Sequence, residues 1–518
     1  MNKSNLENIS PKKDRIRIIF ALSVIVIIGF ILRLVFFPFE IPLILDNLSY
    51  FWYAMDMSIT GEFPQNYDIV NNTWPTILSV FFSIFFFENY IDYMNLQRGI
   101  SSIISVLAVI PIYFLSRHFF SKKVALVGSA MFAFEPRLIQ NSLLGITEPL
   151  FLLLGITTIC LFLRSNMRVV YLSFVTAGLF TLVRYEGVLI IIPMTILFFV
   201  RFKKEKKVIL KYVLALTIFL ILLLPMSTVR MSTMGYDGVF SHVKSGAVVV
   251  TSQNFLNEDP TKQKFFPDVG IINFIKLFGW ILVPSFIFFI PLGILSLIRK
   301  KEVKIKYLIL FTIFATIPAF YAYSRGISDT RYLFMVYPMF VIISLYSIDW
   351  ITQKNNKKNW VFITSAVFLI STSWAFLDIK IDNEHDVEAF QIALKNTPYL
   401  SAVNVYYPES TYYKVTILDE ISEFPILNKD IHRNIKLLPT NNFNSIEEFL
   451  TKNEKNGLEH IVIDDSIDRP QFLREIFTNE EKYPYLEKVY DSNMDGYDYK
   501  VKIFKINFEK FHELRDRF

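Results

Sequence analysis

A chain of 518 residues that is 53% hydrophobic and holds 52 phenylalanines carries far more apolar surface than one soluble core hides, so it reads as a polytopic membrane protein. The net charge of +6 is modest and sits mainly in short loops between apolar runs, where anionic lipid headgroups are the natural neighbours and nucleic acid is not. The single cysteine, Cys160, excludes an intramolecular disulfide, a thiol pair and a CxxC metal site.

The first apolar run, Ile19 to Phe37, follows a charged tail and lacks a small-residue cleavage site, which predicts a retained helix rather than a signal peptide. Spans need about 20 apolar residues. Further candidates are Gly99 to Ser116, Val124 to Ile139, Pro149 to Leu163, Val169 to Val183 and Gly187 to Val200. They continue with Ile209 to Val229, Ile271 to Ile298, Tyr307 to Tyr323, Tyr332 to Ile348 and Trp360 to Phe376. The run Thr76 to Phe87, after Trp74-Pro75, has only about a dozen apolar residues, the length of an interfacial or re-entrant segment.

Alternate gaps are basic: Lys12 to Arg17, Arg117 to Lys123, Arg164 to Arg168, Arg201 to Lys207, Arg299 to Lys306 and Lys354 to Lys358. Short Lys/Arg-rich loops stay cytoplasmic. Counting Thr76 to Phe87 as a span would place Arg117, Lys122 and Lys123 outside, so it is assigned to the membrane surface. An α-helical bundle of about 11 transmembrane helices is expected, integral to the plasma membrane, with a cytoplasmic amino terminus. The transmembrane domain is expected over residues 1–377, including a long first outer loop, 38–98.

After Phe376 the hydropathy drops, and residues 378–518 read as an exterior soluble α/β or α+β domain. Val403 to Tyr407, His460 to Ile463 and Lys500 to Ile506 have strand character, and Asp386 to Lys395 and Ser445 to Lys455 are helical. Asp464, Asp465 and Asp468 follow a strand and are read as a solvated turn.

The polar residues able to do chemistry fall on the outer side of this topology. Arg33, near the end of the first span, either snorkels to the headgroups or meets a lipid phosphate, whose geometry suits a guanidinium. Asp46 opens an aromatic helix and could cap it or accept a proton. Arg98, Glu148, Arg184 and Glu186 stand at the mouths of spans. Singly each suits an interfacial anchor, but together they offer an acid amid arginines, which transfer from a lipid phosphate requires. The histidines show no ligand spacing, so no metal or cofactor is assigned.

Five ordered stretches carry a resemblance. They are Asp46-Asn47-Leu48-Ser49-Tyr50 continuing to Gly61-Glu62-Phe63, Arg98-Gly99-Ile100-Ser101, Pro136 with Thr147-Glu148-Pro149, Arg184-Tyr185-Glu186-Gly187, and Arg331-Tyr332 with Pro338. Over about residues 15–350 the chain resembles the GT-C membrane glycosyltransferases, above all the dolichyl-phosphate-mannose-protein mannosyltransferase and aminoarabinose transferase branches. The resemblance implies a GT-C bundle with membrane-parallel helices in its first outer loop. It also implies a polyprenyl-phosphate sugar donor, an inverting transfer to a hydroxyl of a protein, glycan or lipid acceptor, and Asp46 as general base. Arg33, Arg98, Arg184 and Arg331 would bind the donor phosphate, with Tyr50, Glu148 and Glu186 at the mouth of the site. Two features depart from parts of that group: Asn47 stands where many members have a second acid, and Trp-Trp-Asp and a DxD before Pro149 are absent. The alternative is a transporter or lipid flippase of envelope glycan precursors, against which stand the lack of a visible repeat and the gathering of charge at one surface.

Overall fold

The computed structural model describes residues 11–251, 266–300, 305–354, 358–380 and 443–515, apart from positions 44, 66, 68, 88, 89, 457 and 468. It also describes 388, 391, 392, 396, 410–415 and 435–439. Two compact units emerge, one of residues 1–37, 63–78 and 96–381, the other of 38–62, 79–95 and 382–518.

The first unit is a helical bundle. Among the described residues, seven helices are long and apolar enough to cross a membrane: Arg15–Val35, Tyr90–Arg117, Tyr185–Phe202, Val208–Met234, Ile305–Ser324, Thr330–Lys354 and Trp360–Asp378. Several other expected spans form shorter helices. We label α1 (Glu148–Phe162) and α2 (Met167–Val183), of 15 and 17 residues, which pack side by side. Their joint is set by Asn166, whose side chain accepts from the Arg168 amide at 2.9 Å, an ordinary helix cap.

Two expected spans are broken. Val124 to Ile139 divides at Phe134-Glu135 into helices Lys122–Ala133 and Pro136–Ser142, because Pro136 has no amide hydrogen to continue the ladder and suits a first helical turn. Ile271 to Ile298 divides into Pro267–Trp280 and α3 (Phe289–Lys300), with Pro284 in the intervening turns. Each half is too short to cross about 30 Å of hydrocarbon at 1.5 Å per residue. Thr76 to Phe87, assigned to the membrane surface, lies mostly in a helix of 12 residues, Thr73–Ile84, which is likewise too short to span.

Buried arginines tie the bundle interior. The Arg33 Nε donates to Ser142 Oγ at 3.1 Å and Nη2 to Ser105 Oγ at 2.9 Å. Its Nη1 donates to the carbonyls of Gly29 and Ala133. Arg230 bridges Asn72 Oδ1 and the Leu182 carbonyl. Buried charge in hydrocarbon persists only when it is met this way.

In the second unit, helix α4 (Leu45–Thr60) packs its aromatic face on residues of 79–95. The Phe51 ring lies 5.7 Å from Phe82, Trp52 lies 5.2 Å from Tyr90, and Phe82 lies 5.4 Å from Tyr93. These two stretches of the first loop group with the second unit. The carboxyl-terminal part carries a three-stranded antiparallel sheet, β1 (His460–Asp464), β2 (Leu486–Asp491) and β3 (Val501–Ile506), in the order β1-β3-β2. Phe449, Ile461, Ile463, Leu473, Phe504 and Phe511 form its core, helix Ile446–Asn453 being capped by Ser445. The α+β expectation thus matches, and Asp464 is held by Arg469, whose Nε lies 2.6 Å from its Oδ1. The expected strand Val403 to Tyr407, most of the helix Asp386 to Lys395, and Asp468 lie outside the described residues.

Gly293, on α3, faces the neighbouring helix α5 (Tyr337–Lys354) so closely that an added Cβ would run into the carbonyl oxygen of Ile343. A backbone atom cannot turn aside as a flexible side chain can, so Gly293→Val should cost roughly 1–3 kcal/mol. A lowered midpoint of thermal unfolding in detergent, with Ser296→Ala as a nearby control, checks this.

Candidate active site

The site is built in the bundle unit from two helix starts and a strained-looking but ordinary turn. Gly145, at φ +74°, makes the turn before α1, and its carbonyl accepts from Trp74 Nε1 at 3.0 Å and Gln97 Nε2 at 2.8 Å. Glycine reaches this left-handed conformation without a Cβ penalty. The pinned turn delivers Thr147 and Glu148 to the start of α1, with Pro149 in the first turn. The Glu148 side chain is 3% exposed, and a carboxylate there faces unsatisfied helix amides.

Arg184 stands in extended backbone between α2 and a 3-10 turn, Tyr185–Ile190. One end of its guanidinium donates to Glu148 Oε1 and the other to Glu186 Oε1 at 3.0 Å. Its plane lies 5.8 Å from the Phe151 ring and 5.6 Å from the Tyr332 ring. Gly187 sits against Phe180 so tightly that a Cβ would meet the ring at 2.9 Å, which fixes where Glu186 can stand. Arg331 enters from a second 3-10 turn, Thr330–Val336. Asp329 caps that turn, accepting from the Arg331 amide at 2.9 Å and its Nε at 2.5 Å. This leaves Arg331 Nη1 4.0 Å from Glu148 Oε1.

Glu148, Arg184, Glu186 and Arg331 form the polar end of a pocket whose remaining wall is mostly apolar, including Phe151, Phe180, Leu308, Phe311, Met335 and Pro338. Arg331, with a quarter of its side chain exposed, holds the more accessible cation of the pair. Chemically, such a mouth can take a small anion on its guanidinium groups while the apolar wall accommodates hydrocarbon.

Of the residues expected from sequence, Glu148, Arg184, Glu186 and Arg331 therefore come together. Arg33 and Arg98 do not join them. Arg33 is 1% exposed, and its guanidinium donates to Ser142, Ser105, Gly29 and Ala133 within the bundle. Arg98 is 3% exposed and its Nε donates to the Leu143 carbonyl at 3.0 Å, just before the turn that positions Glu148. Asp46 and Tyr50 belong to the second unit, Asp46 exposed in the first turn of α4 and Tyr50 one turn further on and buried. Sequence reasoning missed Asp329 and Phe151, and singled out Tyr332 only as part of the resemblance, with no place at the site. Asp329-Thr330-Arg331 did carry a signal, since Asp before a helical turn is a preferred cap. Among the described residues no group of three or more His, Cys, Asp or Glu is placed to hold a metal ion.

The fold is shared with solved structures of ArnT and of an archaeal oligosaccharyltransferase. ArnT from Cupriavidus metallidurans, bound to undecaprenyl phosphate, superposes with a TM-score of 0.54 at 11% identity, over 96% of this chain and 98% of that one. The Archaeoglobus fulgidus oligosaccharyltransferase tethered to an acceptor peptide gives 0.54 at 15%, over 92% and 74%. AglB from the same archaeon, with an inhibitory peptide and a dolichol-phosphate, gives 0.51 at 13%, over 90% and 72%. In sequence, residues 71–229 match the family described as dolichyl-phosphate-mannose-protein mannosyltransferase. No curated protein matches the chain.

Removing the Arg184 fork leaves Glu148 buried with Arg331 at the limit of ion-pair distance. Arg184→Ala should therefore destabilise by about 3–5 kcal/mol. Arg184→Lys, which keeps the charge but cannot hold both carboxylates in one plane, should fall between it and the wild type in thermal unfolding.

Proposed function

We propose that this protein is a membrane glycosyltransferase that moves a sugar from a polyprenyl-phosphate donor to an acceptor hydroxyl on the outer face of the plasma membrane. The observation that carries the reading is the mannosyltransferase family match, which encloses Glu148, Arg184 and Glu186, three of the four polar residues at the mouth of an apolar pocket. A lipid phosphate has the same two-part character: an anionic head suited to arginines and a hydrocarbon tail suited to the wall. In this reading Arg184 and Arg331 stabilise the phosphate as the glycosidic bond breaks, and Glu148 and Glu186 hold the Arg184 guanidinium in place. The charge that develops on the leaving phosphate is met by donors already oriented, so little reorganisation accompanies the reaction.

Asp46 is proposed as the general base, taking the acceptor proton as its oxygen attacks the anomeric carbon from the side opposite the phosphate, with inversion. Its carboxyl is exposed in the first helical turn, where an incoming acceptor can reach it, and Asn47 beside it cannot substitute as a base. Residues 378–518 are proposed as an exterior domain, and protein, glycan and lipid hydroxyls all remain within the acceptor class. Incubating the purified protein with labelled polyprenyl-phosphate sugars and cell envelopes, then finding by mass spectrometry what gains the sugar, tests the activity directly. If substrate crosses proteoliposome membranes with no covalent product, the transporter alternative replaces it.

Asp46→Asn should lower transfer by roughly 10²–10⁴ while leaving thermal unfolding unchanged; near-normal turnover would remove Asp46 from the chemistry. For the topology, Ser328 and Ser121 are both exposed in connecting segments on expected opposite sides. Ser328→Cys should react with an impermeant maleimide on intact cells, and Ser121→Cys only after permeabilisation.

A further inference from the structure

A second polar cluster lies within the bundle unit, apart from the arginine site, and the transfer chemistry makes no use of it. Glu135 is fully buried, as are Ser285 and Tyr337. The hydroxyls of Ser285 and Tyr337 face the Glu135 carboxyl. Both carboxyl oxygens, Ser285 Oγ and Tyr337 Oη nevertheless lack a well-aligned hydrogen-bond partner in the protein. Four buried oxygens left in this state are costly, since each loses its water without a full replacement.

The three residues come from three interruptions of the helical bundle. Glu135 lies between helices Lys122–Ala133 and Pro136–Ser142. Ser285 lies in the turns between Pro267–Trp280 and α3. Tyr337 begins α5, directly after the 3-10 turn Thr330–Val336. Broken helices that converge on a buried carboxyl are the usual way a membrane protein builds a small-cation site. The nearest basic residue in sequence, Arg137, turns its backbone amide and part of its charge toward the carboxyl, while its guanidinium is engaged elsewhere. Its Nε donates to the Val283 carbonyl at 3.3 Å and its guanidinium lies over Phe376 at 4.9 Å and Trp280 at 5.7 Å. Among the described residues, no ion pair reaches Glu135 within 4.0 Å.

We propose that Glu135, Ser285 and Tyr337 form a binding site for one small monovalent cation of the sodium type. The donor set decides the class. All donors are hard oxygens, which select alkali or alkaline-earth ions over transition metals. A single carboxylate supplies one negative charge, which balances one monovalent ion and leaves a divalent ion uncompensated in a medium of low dielectric. The bound ion would take up the four unmet oxygens together and clamp three helix joints, giving the bundle a sodium-dependent stability. It does not rest on the proposed transferase activity.

The test uses the full chain in lipid nanodiscs, with sodium chloride against choline chloride at equal ionic strength. Thermal unfolding should rise saturably with sodium, and radioactive sodium should bind stoichiometrically. The response should shrink from about pH 8 to about pH 5 as protons compete for the carboxylate. Glu135→Gln should abolish both signals. Should that variant fail to fold, Ser285→Ala and Tyr337→Phe keep the carboxylate and should raise the half-saturating sodium concentration several-fold. Identical unfolding in sodium and choline with no bound sodium overturns the proposal, as does a Glu135→Gln protein that responds like wild type, or a half-saturation unmoved by both hydroxyl variants.

Discussion

A guanidinium inside a helical bundle has to be met by acceptors on more than one side, because hydrocarbon offers none and its desolvation is otherwise uncompensated. The Arg184 fork between Glu148 and Glu186 satisfies that demand and, in doing so, sets the position of everything else at the pocket mouth. It joins the start of α1 to the turn after α2, so the two helix ends cannot drift apart without stranding charge. Of the two arginines at Glu148, Arg331 is the more exposed. The pocket's division into a charged mouth and a hydrocarbon wall follows from this one placement.

The same demand explains why the other buried arginines are braces. Arg33 spends its donors on Gly29, Ser105, Ala133 and Ser142, and Arg230 on Asn72 and Leu182. A guanidinium already met by four protein acceptors gains little from a phosphate, because each new bond replaces one it must give up. Arg331 differs in being partly exposed, as is Asp329, its partner two residues away in the chain.

How far the sequence speaks depends on whether the informative neighbour is near in the chain. The basic gaps and apolar runs made a membrane bundle legible, and the dozen apolar residues of Thr76 to Phe87 were enough to anticipate a helix too short to span. Arg184 and Glu186 are adjacent in sequence to their turn, and their clustering with Glu148 was readable from span ends alone. Arg33 was not, since the groups that claim its fork lie as much as 109 positions away. Hydropathy averaging also hid the breaks at Pro136 and Pro284, because proline interrupts the ladder without lowering the apolar sum of its window. Those two breaks are where Glu135 and Ser285 reach the interior.

A helix break within a membrane bundle releases backbone groups that must find partners, so it is retained only where something satisfies them. At the arginine site the turns after α2 and before α5 are satisfied by capping and by the charged side chains themselves: Asp329 takes the Arg331 amide, and the Arg184 carbonyl takes the Gly187 amide. Around Glu135 the backbone is similarly served, with Ser373 donating to the Phe134 carbonyl and Arg137 to that of Val283, yet the side-chain oxygens are not. The two clusters therefore sit on opposite sides of the same constraint. One balances its charges internally and leaves a cation facing outward, which suits an anionic ligand; the other leaves a carboxylate and two hydroxyls facing one another, which suits a cation.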